Sequence, residues 1–302
     1  MDQIQSMRVF ARVVEAGTFT KAAVSLDLPK GTVTKLVQHL EARLKVKLLN
    51  RTTRRVTVTP DGAAYYERTA RLLNDLDDIE ASMTNAQANP SGRLRVDVGS
   101  SVARQIVIPA LPTFYARYPD IQLDLGVSDR PVDLISDNVD CVIRGGELTE
   151  QSLVARRIAN ISLVTVASPG YLQRHGVPRH PSELEDGHVT VAFFSARTGR
   201  FHPELFTRGD ETIELVGNYQ VSVNDSNAHT AALLAGLGIS QAARFSVAPH
   251  LDSGELVRVL PDWSRPGIPV HVVYPPNRHL SAKTRAFVDW AAELFATYPD
   301  LN

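Results

Sequence analysis

Residues 17–44 read "GTFTKAAVSLDLPKGTVTKLVQHLEARL", two apolar-periodic segments too close together for any other unit to fit between them. Phe19, Ala22, Ala23 and Leu26 form one stripe, and Val33, Leu36, Val37, Leu40 and Leu44 form another. Each steps by three or four residues, as one buried face of a helix does. Phe10, Val13 and Val14 predict a further helix ahead of them. Thr18 is placed to cap the second helix, and Gly17 before it permits a sharp entry. Leu28-Pro29 ends that helix, because the residue before a proline is pushed out of the helical region. Pro29 in turn suits the first turn of the next helix, where no backbone donor is missed. Two helices joined by so few residues make a helix-turn-helix.

The later of the two helices starts polar. Lys30, Thr32, Thr34, Lys35 and Gln38 lie off its apolar stripe, and Thr20 stands on the helix before it. These side chains can donate to phosphates or base edges if the helix enters a major groove; a solvated helix face would carry the same residue types. The distribution of charge favours the first reading. The net charge of −1 conceals a head, residues 1–59, with eleven Lys/Arg against four Asp/Glu, or +7, and a remainder with 21 against 29, or −8. A basic head on an acidic body points to nucleic acid. Next, "LLNRTTRRVTVTPDG" sets Arg51, Arg54 and Arg55 around alternating Val56 and Val58, a short hairpin with a basic tip. Such a wing can reach a phosphate or a minor groove.

Thr59-Pro60-Asp61-Gly62 is a helix start, with Thr59 as cap and Pro60 at the first position. Beyond it Tyr65, Thr69, Leu72, Leu76, Ile79, Met83 and Ala86 step by alternating fours and threes. That heptad seam predicts a long helix that pairs with a second copy, or packs on its own body. "NAQANPSG" (85–92) closes it as a linker. From Gly92 onward strands and helices alternate. Strands are expected at "GRLRVDVGS", "IQLDLGVS", "VDCVIRGG" and "ISLVTVASP", then over 188–194, 211–223, 255–260 and 269–274. Helices are expected over 103–118, Val132–Ser136, 169–175, 227–237 and 281–297, and the acidic run "DRPVDLISDNVD" as a solvated helix face. This alternation predicts an α/β body, a parallel or mixed sheet covered by helices. The expected domains are a winged helix-turn-helix over 1–59, a linker helix and hinge over 60–91, and an α/β domain over 92–302.

Several classes of function are excluded or disfavoured. A hydrophobic content of 43% with 22% charged residues fits a packed globular protein. The single Cys141 cannot form an internal disulfide, which suits a reducing compartment. The opening "MDQIQSMRVFARVVEAG" has no apolar run of signal-peptide length, and no window reaches membrane-span length, so a cytoplasmic protein without membrane contact is expected. No G-x-S-x-G elbow, Walker loop or H-E-x-x-H occurs, and "AGLGIS" (235–240) follows a helix and leads into a strand, the reverse of a dinucleotide loop. His175, His180 and His188 lack metal-site spacing. Neither enzyme, metal nor cofactor is expected.

The stretch "VFARVVEAGTFTKAAVSLDLPKGTVTKLVQHLEARLKVKLLNRTTRRVTVTPDG" resembles the winged helix of the LysR-type transcriptional regulators. "GRLRVDVGSSVARQIVIPALPTFYARYPDIQLDLGVSDRPVDLISDNVDCVIRGGEL" and "SPGYLQRHGVPRHPSEL" are similar to that family's effector domain. The resemblance implies a DNA-binding regulator whose C-terminal domain, similar to type-2 periplasmic binding proteins, senses a small molecule between two subdomains. These would span about 92–167 with 269–302, and about 168–268. It further implies a homo-oligomer, dimer or tetramer, an interrupted palindrome as DNA target, and RNA polymerase as a partner. Departures from the family pattern are Lys45 for Gly, Leu49 for Phe, and Pro29-Lys30 for Ser-Gln at the start of the reading helix. The effector site implied lies at Ser100, Ser101 and Val102, with Ser128, Arg144, Phe194 and Asn227 on facing segments. Hydroxyls and helix-start N–H groups there would suit a small, anionic effector. Plainer roles are open at each position: helix capping for Ser100, Ser101 and Asn227, an ion pair with Asp140 or Glu147 for Arg144, and core packing for Phe194. The alternatives to a ligand-responsive regulator are a DNA-binding protein that needs no ligand and, remotely, an enzyme with a DNA-binding head.

Overall fold

Capping residues and apolar stripes set the helices of the first unit. The computed structural model describes residues 2–51, 56–83, 89–132, 134, 137, 139–146, 153–275 and 280–301. The chain divides into two compact units, Met1–Ala88 and Asn89–Asn302. In the first, α1 (Gln3–Ala16), α2 (Phe19–Ser25) and α3 (Lys30–Leu44) pack Val9, Phe10, Val13, Ala22, Ala23, Val33, Leu36, Val37 and Leu40 into one core. Thr18 caps α2, its hydroxyl accepting the Lys21 N–H. Pro29 is not inside α3 as expected: with ψ of 136° it stands one position earlier, as the cap without a side-chain bond. Asp27 takes a left-handed φ of 50° to turn the chain between the two helices. At the other end of α3, Lys45 adopts the left-handed conformation, φ 56°, that glycine would take, and its N–H closes onto Glu41.

Strands β1 (Leu49–Arg51) and β2 (Val56–Val58) pair antiparallel, Leu49 opposite Val58. They are the sides of the expected wing; Arg54 and Arg55 lie outside the described residues, and so does the side chain of Arg51. The buried Glu41 ties α3 to this hairpin, accepting the N–H groups of Leu48 at 3.0 Å and Leu49 at 3.2 Å and pairing with Lys47. Burial raises its carboxyl, and those two N–H groups and Lys47 more than reverse that, leaving it below the ordinary carboxylate range.

Helix α4 (Pro60–Met83) starts at Pro60 behind Thr59, whose hydroxyl accepts the Gly62 N–H and donates to Lys47 O. Gly62 is required here, because a Cβ would lie 2.0 Å from Leu48 O. The expected seam is divided along its length. Tyr65 packs into the head, its ring 5.7 Å from Phe10, and Thr69 is buried. Leu72 and Ile79 stay exposed, at 53% and 58%, and Leu76 is half-buried. The side chain of Met83 and the whole of Ala86 lie outside the described residues.

The second unit is built on a mixed five-stranded sheet, in the order β4 (Ile121–Val127), β3 (Gly92–Val98), β5 (Cys141–Gly145), β15 (Ile268–Tyr274), β6 (Val154–Ile161). The pairs β3–β4 and β3–β5 are parallel, while β15 runs antiparallel to both its neighbours. A continuous helical run, α5 (Ser100–Val102), a π-helical turn (Ala103–Val107) and α6 (Ile108–Arg117), packs on this sheet with α10 (Ala282–Ala296). The crossing to the second subdomain comes at Ser162 rather than near 167, because β7 (Leu163–Ala167) pairs with β13 (Ser240–Ala243) and β14 (Val257–Arg258). A second small sheet there joins β12 (Tyr219–Val223), β8 (Thr190–Phe194) and β9 (Phe201–His202), and β10 (Glu204–Arg208) forms a hairpin with β11 (Glu211–Leu215). The single strand expected over 211–223 is thus two, β11 and β12, broken between. The short helix expected at Val132–Ser136 falls partly outside the described residues, and Leu134 lies in a turn. Helices α7 (Pro169–His175), α8 (Ser226–Leu234) and α9 (Arg244–Asp252) complete this unit.

One buried polar chain crosses the second subdomain. Ser240 donates its hydroxyl proton to Glu204, and the Gln241 N–H donates to the same oxygen at 2.8 Å. With that proton committed, the Ser240 oxygen accepts from His229 Nε2 at 2.9 Å, and the Val191 carbonyl beside it also only accepts. His229 therefore carries a proton on Nε2, and burial lowers its pKa, which favours the neutral ring. Burial pushes the Glu204 carboxyl up to about 7 against its hydrogen bonds, and its second oxygen has no hydrogen-bond partner among the described residues.

Candidate nucleic-acid interface and effector cleft

The apolar stripe of α3 is consumed by the core, which fixes what its other side presents. Lys30, Thr32, Lys35 and Gln38 are exposed, as is Thr20 on α2. Thr34 is half-buried and donates its hydroxyl back to Lys30 O at 2.9 Å, so of the predicted readers it is the one turned along its own helix. His39 and Arg43, which the sequence reading passed over, share the exposed side. Both are one or two steps from Gln38 and Leu44, and their absence from the apolar stripe was the available signal.

In the second unit the predicted effector residues separate into a cluster and outliers. Ser100 and Ser101 are buried at the carboxyl end of β3, 4% and 8% exposed. They are not caps, since the position before the helix is Gly99 with no side-chain bond. The Ser100 N–H donates to Asp129 Oδ1 at 2.7 Å, and the Ser101 N–H to the Ser226 hydroxyl at 3.0 Å. The Ser226 N–H donates to Asp129 Oδ2 at 2.6 Å. Strand β4 and helix α8 thereby bring their ends together at the start of α5. Asp129 was expected on a solvated helix face; it is instead half-buried and bonded by both oxygens. Ser226 and Asp129 are the residues the sequence reading missed, and the signal for Asp129 was its place after a strand end, where open α/β sheets hold ligands.

Ser128 is half-buried next to Asp129, its N–H donating to Val98 O. Arg144 pairs with Asp97, not with Asp140, while Glu147 lies outside the described residues; it also donates to Arg130 O, which sets it beside the same turn. Burial raises the Asp97 carboxyl, Arg144 opposes that, and Asp137 and Asp129 add to it. Val102 belongs to the apolar core under the sheet. Asn227 is half-buried and is not the cap of α8; Asp225 is, accepting the Ala228 N–H. Phe194 meets Phe201 edge to face at 6.4 Å, while its neighbour Phe193 meets His229 on α8. A polar web continues from the cluster, with Thr230 bonded to Ser226 O and to Ser246, and Ser246 to Gln105 of the π-helical turn. A separate cavity of about 230 Å³ lies between that turn, α9 and the C-terminal residues, lined by Gln105, Ile106, Phe245, Pro249 and Tyr298 among others.

Comparison with known proteins bears on both halves. Residues 4–63 match the model for a bacterial regulatory helix-turn-helix protein of the lysR family, and residues 87–296 match the LysR substrate binding domain. The chain is 41% identical over 302 residues to an HTH-type transcriptional repressor of Pseudomonas aeruginosa, covering all of this chain and 95% of that protein. It is 30% identical to the HTH-type transcriptional activator AaeR of Escherichia coli, covering 98% and 94%. Among solved structures, CrgA of Neisseria meningitidis, a LysR-type transcriptional regulator, superposes with a TM-score of 0.63 at 30% identity, covering 97% and 99%. These relatives are regulators, not enzymes, which removes the catalytic alternative. A winged helix-turn-helix, a long helix and a two-subdomain α/β body in one chain, with both family models matched in order, identify it as a member of the LysR family of transcriptional regulators.

Proposed function

We propose that α3 lies in the major groove with Thr32, Lys35 and Gln38 toward DNA, supported by Lys30, Thr34 and Thr20 and by Arg51, Arg54 and Arg55 of the wing. The observation that carries this reading is the exposed polar side of α3 in a head of charge +7, opposite a stripe wholly used by the core. Two heads joined through α4 would read an interrupted palindrome, and RNA polymerase is the partner through which such binding changes transcription. The working compartment is then the one that holds the DNA, the cytoplasm. The domain division follows: head to 59, linker helix and hinge over 60–91, effector domain from 92. A small anion bound near Ser100, Ser101, Ser128 and Arg144, with Asn227 and Phe194 toward the opposite subdomain, modulates the DNA-bound state. The relatives include a repressor and an activator, so the sign of regulation is not carried over.

Salt-dependent DNA binding tests the head. Lys35→Ala should weaken binding and flatten the slope of log affinity against log salt by about 0.9, the share of one neutralised phosphate. Gln38→Ala should instead relax discrimination at one base pair by roughly 1–3 kcal/mol. Unchanged affinity, slope and sequence preference in both variants would contradict the docking of α3.

A further inference from the structure

The helical run that opens at Ser100 and the helix that opens at Ser226 belong to different subdomains, and one carboxylate serves both starts. Asp129 Oδ1 accepts from Ser100 and Oδ2 from Ser226, at 2.7 and 2.6 Å, while the Ser226 hydroxyl takes the Ser101 N–H. First-turn N–H groups have no partner inside their own helix, and the helix dipole favours negative charge there. The protein meets that demand from its own turn after β4. A bidentate small carboxylate bridging the two subdomains would need the same N–H groups, so Asp129 stands where such a ligand's charge would sit.

We propose that Asp129 is a built-in competitor of the effector: it clasps the two subdomains together when no ligand is bound, and the cleft responds to a small carboxylate or other oxyanion that displaces it from Ser100 and Ser226. The inference rests on the reading of this cleft as the effector site. Two features make the clasp releasable. It is confined to one side chain in a turn, so its departure breaks no strand or helix. The Asp97 carboxylate is close enough for mutual repulsion with Asp129, and Arg144, committed to Asp97, to Ile143 O and to Arg130 O, does not anchor Asp129 itself. A ligand that must wait for the open clasp binds with its affinity reduced by the open fraction, so a clasp open roughly one time in a hundred weakens it about a hundredfold.

Amide hydrogen exchange on the full-length protein, with acetate as the probe, tests this. In the wild type the Ser100 and Ser226 amides should exchange slowly, with little response to acetate. In Asp129→Ala they should exchange at least ten times faster, and acetate should restore protection and raise the melting temperature more than sodium chloride of equal ionic strength. Asp129→Asn keeps the size and one acceptor oxygen, and should bind acetate at least tenfold tighter than wild type; it decides the matter if the alanine variant does not fold. Equal protection of these amides in wild type and both variants, or equal acetate affinity throughout, overturns the clasp. A small molecule that binds the wild-type cleft with affinity unchanged in Asp129→Asn would overturn the clasp and leave the effector reading standing. Acetate rescue in a protein whose DNA binding no anion alters would do the reverse.

Discussion

Lys45 holds a φ of 56° at the end of α3, where a side chain crowds the following carbonyl and glycine does not. The chain accepts this because the Lys45 N–H still closes the helix on Glu41 O, and Glu41 itself anchors the hairpin that follows. Lys45→Gly should therefore stabilise the protein by about 0.5–1 kcal/mol net of the greater freedom of glycine in the unfolded chain, measured by chemical denaturation, and a loss of stability would contradict strain at this position. Glu204 makes a second prediction at this scale. Its buried carboxyl is raised from 4.5 to about 7, so the native state holds its proton more tightly than the unfolded chain does. Its contribution is fully present below pH 4.5 and is lost as pH rises through about 7. The melting temperature of Glu204→Gln minus that of wild type should thus grow from pH 5 to pH 8. His229, whose pKa burial lowers, acts in the opposite sense in both proteins, with stability lost as pH falls below 6.5. A difference that stays flat over that range would contradict a proton held on Glu204.

At the scale of elements, α4 uses one side in two ways. Tyr65 and Thr69 are spent on the head's own core, and Leu72, Leu76 and Ile79 continue the stripe, with Leu72 and Ile79 exposed and Leu76 half-buried. Leu72→Asp should leave the head folded and shift the oligomer toward smaller species by sedimentation, since a charge in a paired apolar seam is costly. An unchanged sedimentation profile would assign the pairing elsewhere. The same helix shows what a sequence reveals and what it hides. Alternating steps of four and three disclosed the helix and its stripe, yet spacing says nothing about which turns face the chain's own core. Helices α1 to α3 were readable because each buries one stripe and has a residue of cap chemistry or a proline at its start. Strand β6, "VARRIANI", was missed because an edge strand with its first four residues exposed shows no alternation. Helix α9 buries Phe245, Ser246 and Val247 in succession and contains Pro249, which hides its period. The serines of the cleft were found from their place after β3, but their partner was not. Asp129 meets Ser100 across 29 positions and Ser226 across 97, and only the folded topology brings three such ends together.

For the whole molecule, a basic reading head and an acidic sensing body are joined in sequence by one helix and a short linker, so each can be perturbed separately by the substitutions above. The order of the large sheet carries one more consequence. Strand β15 lies between β5 and β6, although the 106 residues from 162 to 267, those of the second subdomain, separate it from β6. Until Tyr274 has left the ribosome, β5 and β6 have no common neighbour, and until α10 follows, Phe287, Trp290 and Phe295 cannot cover the sheet. The subdomain whose synthesis begins first is therefore completed last, and its apolar face, already partly covered by the early helical run, waits for the carboxyl-terminal tenth of the chain to emerge.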